Sequence, residues 1–173
     1  IWTRPNTGAD ATDSDGVATN VTATTTRTND ITTLTPGTTD NSWDQGVLLP
    51  SALGNIVWRD NDDDGIQDNL NGVGGEPGIN GVTVRLLDSS GNPVTDPVSG
   101  GNYTATTAGS GATTGTYAFT NLYPGQYIVE FVTPSGYKRA DYMASGSTTA
   151  DDSDGQIANG RTATITLPYN TTD

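Results

Sequence analysis

The sequence predicts an all-β protein with a sandwich architecture. Threonine, valine, tyrosine and glycine are frequent, and turn-forming residues recur along the whole chain. This composition is typical of short strands joined by turns. No long stretch of the chain carries apolar residues at helical spacing. Several short strands, regularly spaced between turn signals, therefore predict two packed sheets.

Five segments account for the predicted strands, and they are residues 55–58, 81–88, 116–120, 127–131 and 162–167. Most of these segments alternate between apolar and polar side chains, which places one face towards a core. The side chains predicted to face inward are Val82, Val84, Leu86, Tyr117, Phe119, Tyr127, Val129, Phe131, Ala163, Ile165 and Leu167. Thr83, Arg85 and Glu130 are predicted to face outward. Pro124-Gly125, between the third and fourth strands, favours a type II turn.

An acidic loop, Asp60 to Asp68, follows the first predicted strand and carries five carboxylates in nine residues. Asp60, Asp62 and Asp64 occupy alternating positions and are followed by Gly65, the pattern of a calcium loop. The alternating carboxylates point towards a common centre, the glycine makes the sharp turn, and Ile66 offers its backbone carbonyl. The loop therefore predicts a site for a hard divalent cation.

The overall charge narrows the range of functions. The chain has 20 acidic and 7 basic residues and a net charge of -13, and its basic residues are scattered. Nucleic acid and anionic membranes are therefore not expected as partners. The absence of Cys and His removes thiol and imidazole chemistry and ordinary zinc sites. No apolar run approaches the roughly 20 residues that cross a membrane.

An internal repeat suggests a second acidic site. The segment 13–16 (Asp-Ser-Asp-Gly) recurs at 152–155, and residues 6–40 and 146–173 keep several features in the same order. Repeats of this kind indicate a tandem or head-to-tail architecture. The candidate ligands of this second site are Asp151, Asp152 and Asp154, with Asp10, Asp13 and Asp15 as their N-terminal counterparts. The alternatives are chance similarity between Thr/Asp/Gly-rich segments and an Asp-rich turn that caps backbone amides.

Taken together, five motifs resemble the SdrD B-like repeat. They are Leu-Gly-Asn-Ile-Val-Trp at 53–58, the acidic loop at 60–68, the Glu-Pro-Gly segment at 76–84, the Gly/Tyr/Phe/Pro-Gly pattern at 115–127, and the acidic element at 152–154. The resemblance covers roughly residues 51–173. It divides the chain into an N-terminal segment, 1–50, which resembles the end of a preceding repeat, and a domain, 51–173.

The resemblance implies a calcium-binding Cna B-type sandwich, an Ig-like or prealbumin-like fold with an N-terminal extended segment. Carried over to this sequence, the calcium ligands are Asp60, Asp62, Asp64, Asp68, the Ile66 carbonyl and Glu76. Asp63 is expected to face solvent. The segment 69–75 is longer than in the family's pattern, so Glu76 has to reach back to the loop. The only Lys is Lys138, late in the domain, which predicts no isopeptide crosslink and leaves the bracing role to Ca2+.

The family also implies a structural role in extracellular or cell-surface stalks of adhesins and other secreted proteins. The chain begins with Ile, which favours a processed chain or a piece of a longer one. Residues 43–50 correspond to the strand expected after Asp173, so a neighbouring subunit could donate them to build a head-to-tail fibre. The other possibility is that the chain is one period of a covalent tandem repeat.

Two other classes of function are alternatives to the structural one. A carbohydrate-binding module would use Trp2, Trp43 and Trp58 as a platform, although Trp58 alternates like a core residue. An enzyme would need paired carboxylates in a cleft. Glu76 and Glu130 are the only Glu residues, and the Asp clusters have the character of loops. The sequence therefore predicts no enzyme.

Overall fold

A computed structural model describes residues 17–18, 26–27, 36–39, 47–68, 75–97, 99–148 and 150–168 of the chain. Within these residues every regular element is a strand, apart from one 3-10 turn at Gly111–Thr113. The strands are β1 (Val17–Ala18), β2 (Thr26–Arg27), β3 (Ser51–Ile56), β4 (Thr83–Asp88), β5 (Thr104–Thr106), β6 (Thr116–Leu122), β7 (Gly125–Phe131) and β8 (Ile165–Leu167). The prediction of an all-β protein is confirmed.

The strands form three antiparallel groups in the described part of the chain. β1 pairs with β2, and β3 pairs with β6. A four-stranded sheet has the order β5-β4-β7-β8. Sequence neighbours β6 and β7 thus lie in different sheets, so the chain crosses from one layer to the other between them.

The hydrophobic core lies between the β3–β6 pair and the four-stranded sheet. Leu53 on β3 and Phe119 on β6 belong to the same buried cluster as Leu86 on β4 and Val129 on β7. The whole cluster is Leu53, Val84, Leu86, Phe119, Leu122, Tyr127, Val129 and Leu167. Because both sheets contribute their inner faces to one core, the domain is a β-sandwich.

The predicted alternation holds along β4 and β7. Val84 and Leu86 are fully buried, whereas Arg85 between them is exposed. On the outer face of the sheet, Arg85 and Arg161 both contact Glu130, with N–O distances of 3.2 and 2.9 Å. Polar side chains thus cover the face that does not meet the core.

The last strand is shorter than predicted, and Ala163 is exposed rather than inward. Glu130 pairs with Arg161, and Tyr127 pairs with Ile165. The chain opposite β7 therefore has one residue more than β7 between these two pairs. Such a bulge shifts the alternation by one position, which turns Ala163 away from the core.

The start of the domain also differs from the prediction. β3 covers Ser51–Ile56, earlier than the expected strand at 55–58, and Trp58 instead forms an isolated bridge with Gly78. β5 was missed because its Thr-Ala-Thr sequence has no large apolar side chain, and it forms only by pairing with β4.

The turn predicted at Pro124-Gly125 is not of type II. That turn needs a positive φ at its third residue, but Gly125 does not have one, and Asn121 carries a φ of 59° instead. The physical reason is the topology: β6 and β7 are not a hairpin, so the connection has to change sheets.

The N-terminal segment is described only in short parts. Val47 and Leu49, just before β3, are 70% and 65% exposed. Trp2, Asp10, Asp13, Asp15 and Trp43 lie outside the described residues. The predicted repeat at 6–40 falls mostly on the same part of the chain.

Candidate metal site

The acidic loop is held in a curled shape by its own carboxylates. The Asp60 side chain accepts hydrogen bonds from the backbone N–H groups of Asp63, at 2.6 Å, and Gly65, at 2.9 Å. The Asp64 carboxylate accepts the N–H of Ile66 at 2.8 Å. Asp63 and Gly65 have φ values of 65° and 75°, in the left-handed region that glycine adopts most easily. The sequence therefore closes the loop through contacts no more than five residues apart.

Glu76 reaches back to this loop in spite of the longer segment before it. The side chain is buried, with 6% exposure, and its Oε1 accepts the backbone N–H of Asn61. The Glu76 N–H in turn donates to the carbonyl of Asp68 at 3.1 Å. These two bonds place the Glu76 carboxylate beside the start of the loop.

Three carboxylates meet at this point. One oxygen from each of Asp60, Asp62 and Glu76 lies within 4.8 Å of the others. The second Glu76 oxygen, Oε2, is buried and has no hydrogen-bond partner in the described part of the chain. A buried carboxylate oxygen without a partner is costly, whereas a cation ligand would satisfy it. The residues present therefore fit a hard divalent cation.

Two of the three carboxylates, Asp62 and Glu76, have raised pKa values. The charge of Asp64 is the largest of the causes that raise the pKa of Asp62 above its ordinary value of 3.8. Loss of hydration comes next, followed by the charges of Asp68 and Asp60. Burial raises the pKa of Glu76 above 4.5, against the opposing effect of the Asn61 N–H. Both shifts mean that the charged forms are disfavoured, which a bound cation would reverse.

The remaining predicted ligands of the main loop make other contacts or are exposed. The exposed Asp64 turns its carboxylate to the Ile66 N–H, and Asp68 is exposed, with its backbone carbonyl facing Glu76. Ile66 forms a bridge with Asp152. These three residues are outside the group formed by Asp60, Asp62 and Glu76, and their role as ligands stays a prediction.

The second acidic element lies alongside the first, an arrangement that the sequence did not indicate. The Gln67 N–H donates to the carbonyl of Asp151 at 2.6 Å, and the Ser153 N–H donates to the carbonyl of Gly65 at 3.2 Å. Segments 65–67 and 151–153 are therefore paired through their backbones. Backbone pairing of this kind requires no particular residue types, so the sequence carries no signal for it.

The side chains of the second element do different things. Asp151 accepts hydrogen bonds from the N–H and the hydroxyl of Thr148, and these bonds lower the pKa of Asp151. This matches the alternative prediction of an Asp-rich cap. Asp152 is 8% exposed and its Oδ1 has no hydrogen-bond partner among the described residues, while Asp154 is exposed. A second metal site there stays a prediction.

Of the three tryptophans in the predicted sugar platform, the structure describes Trp58. Its side chain is half-buried, and its indole Nε1 is buried. Trp2 and Trp43, the other two members of the predicted platform, lie outside the described residues.

In the described part of the chain, no helix is long and apolar enough to span a membrane.

Comparisons with known proteins place the chain in a family. Residues 51–173 match the model of the SdrD B-like domain. The chain is 41% identical over 130 residues to serine-aspartate repeat-containing protein E of Staphylococcus aureus, a match that covers 74% of this chain and 9% of that protein. Protein D of the same species is 40% identical over 120 residues, covering 69% of this chain and 8% of the relative. The chain thus spans less than a tenth of these relatives.

One solved structure shares a distant likeness. The crystal structure of BcpA, the major pilin subunit of Bacillus cereus, aligns with 75% of this chain and 29% of the pilin chain, at 17% identity and a TM-score of 0.40.

Proposed function

This chain belongs to the SdrD B-like domain family, and from that membership we propose that it is a calcium-braced structural repeat of an extracellular stalk or fibre. The observation that carries the proposal is the meeting of Asp60, Asp62 and Glu76, where one buried Glu76 oxygen has no hydrogen-bond partner among the described residues. The named relatives are serine-aspartate repeat-containing proteins, which supports a structural role and not an enzymatic one.

Calcium is the cation that suits this donor set. All of the candidate ligands are oxygen atoms, and the chain has neither Cys nor His to favour a softer metal. Extracellular calcium modules bind with dissociation constants of about 10⁻⁴–10⁻³ M, which suits a permanent brace outside cells. We assign Asp60, Asp62 and Glu76 as side-chain ligands, with Asp64, Asp68 and the Ile66 carbonyl as further candidates from the family pattern.

The brace would act by joining segments that are distant in sequence. Asp60 and Asp62 follow β3, whereas Glu76 precedes the chain that enters β4. The same loop is paired with residues 151–153 near the end of the domain. A cation that fixes the loop therefore ties the first strand of the sandwich to its later parts.

Removal of calcium is expected to lower the melting temperature. Calcium at about 100 times its dissociation constant stabilises a folded protein by about 2.7 kcal/mol. For a domain of this size that corresponds to a shift of about 5–10 °C. Calorimetry of the full chain with calcium and with a chelator measures the shift, and excess calcium should restore the original midpoint. An unchanged midpoint after chelation would refute the brace.

The effect of calcium is expected to depend on pH in a defined direction. Because the pKa values of Asp62 and Glu76 are raised in the folded protein, their charged forms lower the stability of the calcium-free fold at neutral pH. This loss of stability diminishes as the pH falls through those pKa values. Protonation also removes the charges that bind calcium. The gap between the calcium-loaded and chelated melting temperatures should therefore narrow as the pH falls from about 7 towards 4.5, and be smallest below 3.8.

The gap is the quantity to follow because other carboxyls affect both samples. Hydrogen bonds from Asn92 and Thr148 lower the pKa values of Asp88 and Asp151, so their stabilising contribution is lost in acid with or without calcium. A gap that stays constant over the same pH range would contradict the assignment of Asp62 and Glu76.

The chain is also proposed to assemble head to tail, with residues 1–50 as the end of one repeat and 51–173 as the next. The repeat between 13–16 and 152–155 supports this division. So does the exposure of Val47 and Leu49, two apolar side chains just before β3. Light scattering of the full chain in calcium tests assembly, and a chain that stays monomeric at all concentrations would exclude a non-covalent fibre.

A further inference from the structure

A cleft of about 390 Å³ opens between β3 and β8, the outer strands of the two sheets. At the start of β3, the Ser51 hydroxyl donates to the carbonyl of Pro168 at 3.0 Å, which links the two strands there. Further along, the cleft is lined by residues 53–58 on one side and 162–165 on the other. Among the described residues, β3 pairs only with β6 and β8 only with β7. Within the described part of the chain, β3 and β8, which border the cleft, are therefore edge strands.

Most of the unsatisfied buried polar atoms in the described part of the chain belong to residues that line this cleft. The described residues contain five buried side-chain polar atoms without a hydrogen-bond partner. Four of the five belong to residues that line this cleft: Trp58 Nε1, Thr133 Oγ1, Arg139 Nε and Asp152 Oδ1. These four atoms are shielded from solvent, so they mark polar groups behind the cleft wall that the described residues leave unpaired.

The backbone of the strands beside the cleft suits an extended peptide. A peptide backbone offers N–H and C=O groups alternately along its length, and edge strands such as β3 and β8 can pair with it. Apolar walls from Phe131 would receive its side chains.

We propose that this cleft receives residues 47–50 of a second copy of this chain, which identifies the contact surface of the head-to-tail assembly and rests on that part of the proposed function. Val47 and Leu49 are two residues apart, so in an extended chain they share one face, and both are largely exposed on their own domain. Packing in the cleft of a neighbour would bury them.

The segment cannot pair with β3 of its own domain. Residues 47–50 continue directly into β3 at Ser51, and a strand that pairs with β3 as a hairpin needs at least about two residues of turn between them. No turn length is left within the segment.

Engineered disulfides test the contact without background, because the natural chain has no Cys. The full-length variants Val47→Cys/Ala163→Cys and Leu49→Cys/Ala163→Cys each join the segment to an exposed residue of the cleft wall. In calcium under mild oxidation, at least one pair should give a ladder of dimers and larger species on a non-reducing gel. The matched control, Val47→Cys/Ser90→Cys, uses an exposed turn residue away from the cleft and should give no ladder.

Each outcome decides the matter. A ladder above the control supports the contact, whereas a fast-migrating, internally crosslinked monomer would show that the cleft takes its own segment and overturn the proposal. Absence of crosslinks from both pairs would also overturn it. If the unmodified chain assembles under the same conditions, only the cleft assignment fails; if the unmodified chain stays monomeric, the head-to-tail proposal itself fails.

A second measurement does not depend on the geometry of the disulfides. Leu49→Asp changes a residue that is 65% exposed in its own domain, so the fold should keep its melting temperature, whereas species larger than the monomer should be lost. Ile157→Asp, at a position 55% exposed and outside both the segment and the cleft lining, should leave the size distribution unchanged. Equal assembly of both variants would contradict the contact.

Discussion

Replacement of Asp60 by Ala is expected to destabilise the protein more than removal of calcium does. The Asp60 carboxylate belongs to the candidate cation group and also holds the loop through the N–H groups of Asp63 and Gly65. Loss of the cation costs about 2.7 kcal/mol at 100 times the dissociation constant. A hydrogen bond to a charged group contributes about 1.5–3 kcal/mol more. The total loss should be about 4 kcal/mol or greater.

The control for this prediction is Asp63→Asn. Asp63 lies in the same loop and carries the same charge, but it is exposed and outside the cation group. Asn accepts a positive φ as well as Asp does, so the 65° of Asp63 should not be strained. Calorimetry in calcium and in chelator should show Asp60→Ala insensitive to calcium and Asp63→Asn close to the natural chain.

Other results would revise the site. If Asp60→Ala kept the full calcium-dependent shift, the cation would have to bind elsewhere, and Asp60 would be only a loop cap. If Asp63→Asn lost calcium binding as completely as Asp60→Ala, net charge and not the position of the ligands would govern affinity.

The acidic loop was predictable because its structure is local. The spacing of Asp60, Asp62 and Asp64 before Gly65 is the whole signal, and the hydrogen bonds that shape the loop span at most five residues. β4 and β7 were predictable for a similar reason, because the alternation of side chains along each strand is local and indicates the core face.

What escaped prediction depends on contacts between distant residues. Pairing of 65–67 with 151–153 uses backbone groups that any residue carries. The bulge that exposes Ala163 arises from the register opposite β7, and no residue type announces it. The short strand β5 exists only because β4 lies beside it. Local propensity holds no information on any of these three features.

Glu76 shows how the two kinds of information combine. The family pattern named Glu76 as a candidate ligand, but the longer segment before it left its reach undetermined. In the structure, the Arg59 N–H donates to the carbonyl of Pro77 at 2.9 Å, and the Ile79 N–H donates to that of Val57 at 2.7 Å. This pairing of 57–59 with 77–79 brings Glu76 to the start of the acidic loop, whatever the length of chain between them.

That pairing depends on Gly78, so Gly78→Ala is expected to damage both the fold and the site. Gly78 faces Trp58 in the bridge, and a Cβ at this position would overlap the backbone carbonyl of Thr114. Backbone atoms there cannot move freely, because Gly115 next to Thr114 accepts the N–H of Val57 at 2.9 Å. The clash should therefore force residues 77–79 outward.

The expected loss of stability is about 3 kcal/mol, the upper part of the range for overpacking. Calcium affinity should fall as well, because Glu76 lies two residues from the displaced position. Gly101→Ala is the matched control. Among the described residues, a Cβ there would meet only the Ser99 hydroxyl oxygen, at 3.7 Å, and the site lies far from it in sequence. Calorimetric melting and calcium titration of both variants separate the two effects. A Gly78→Ala protein that melts lower but binds calcium normally would mean that Glu76 is positioned by its own bonds to Asn61 and Asp68, and not by the pairing beside it.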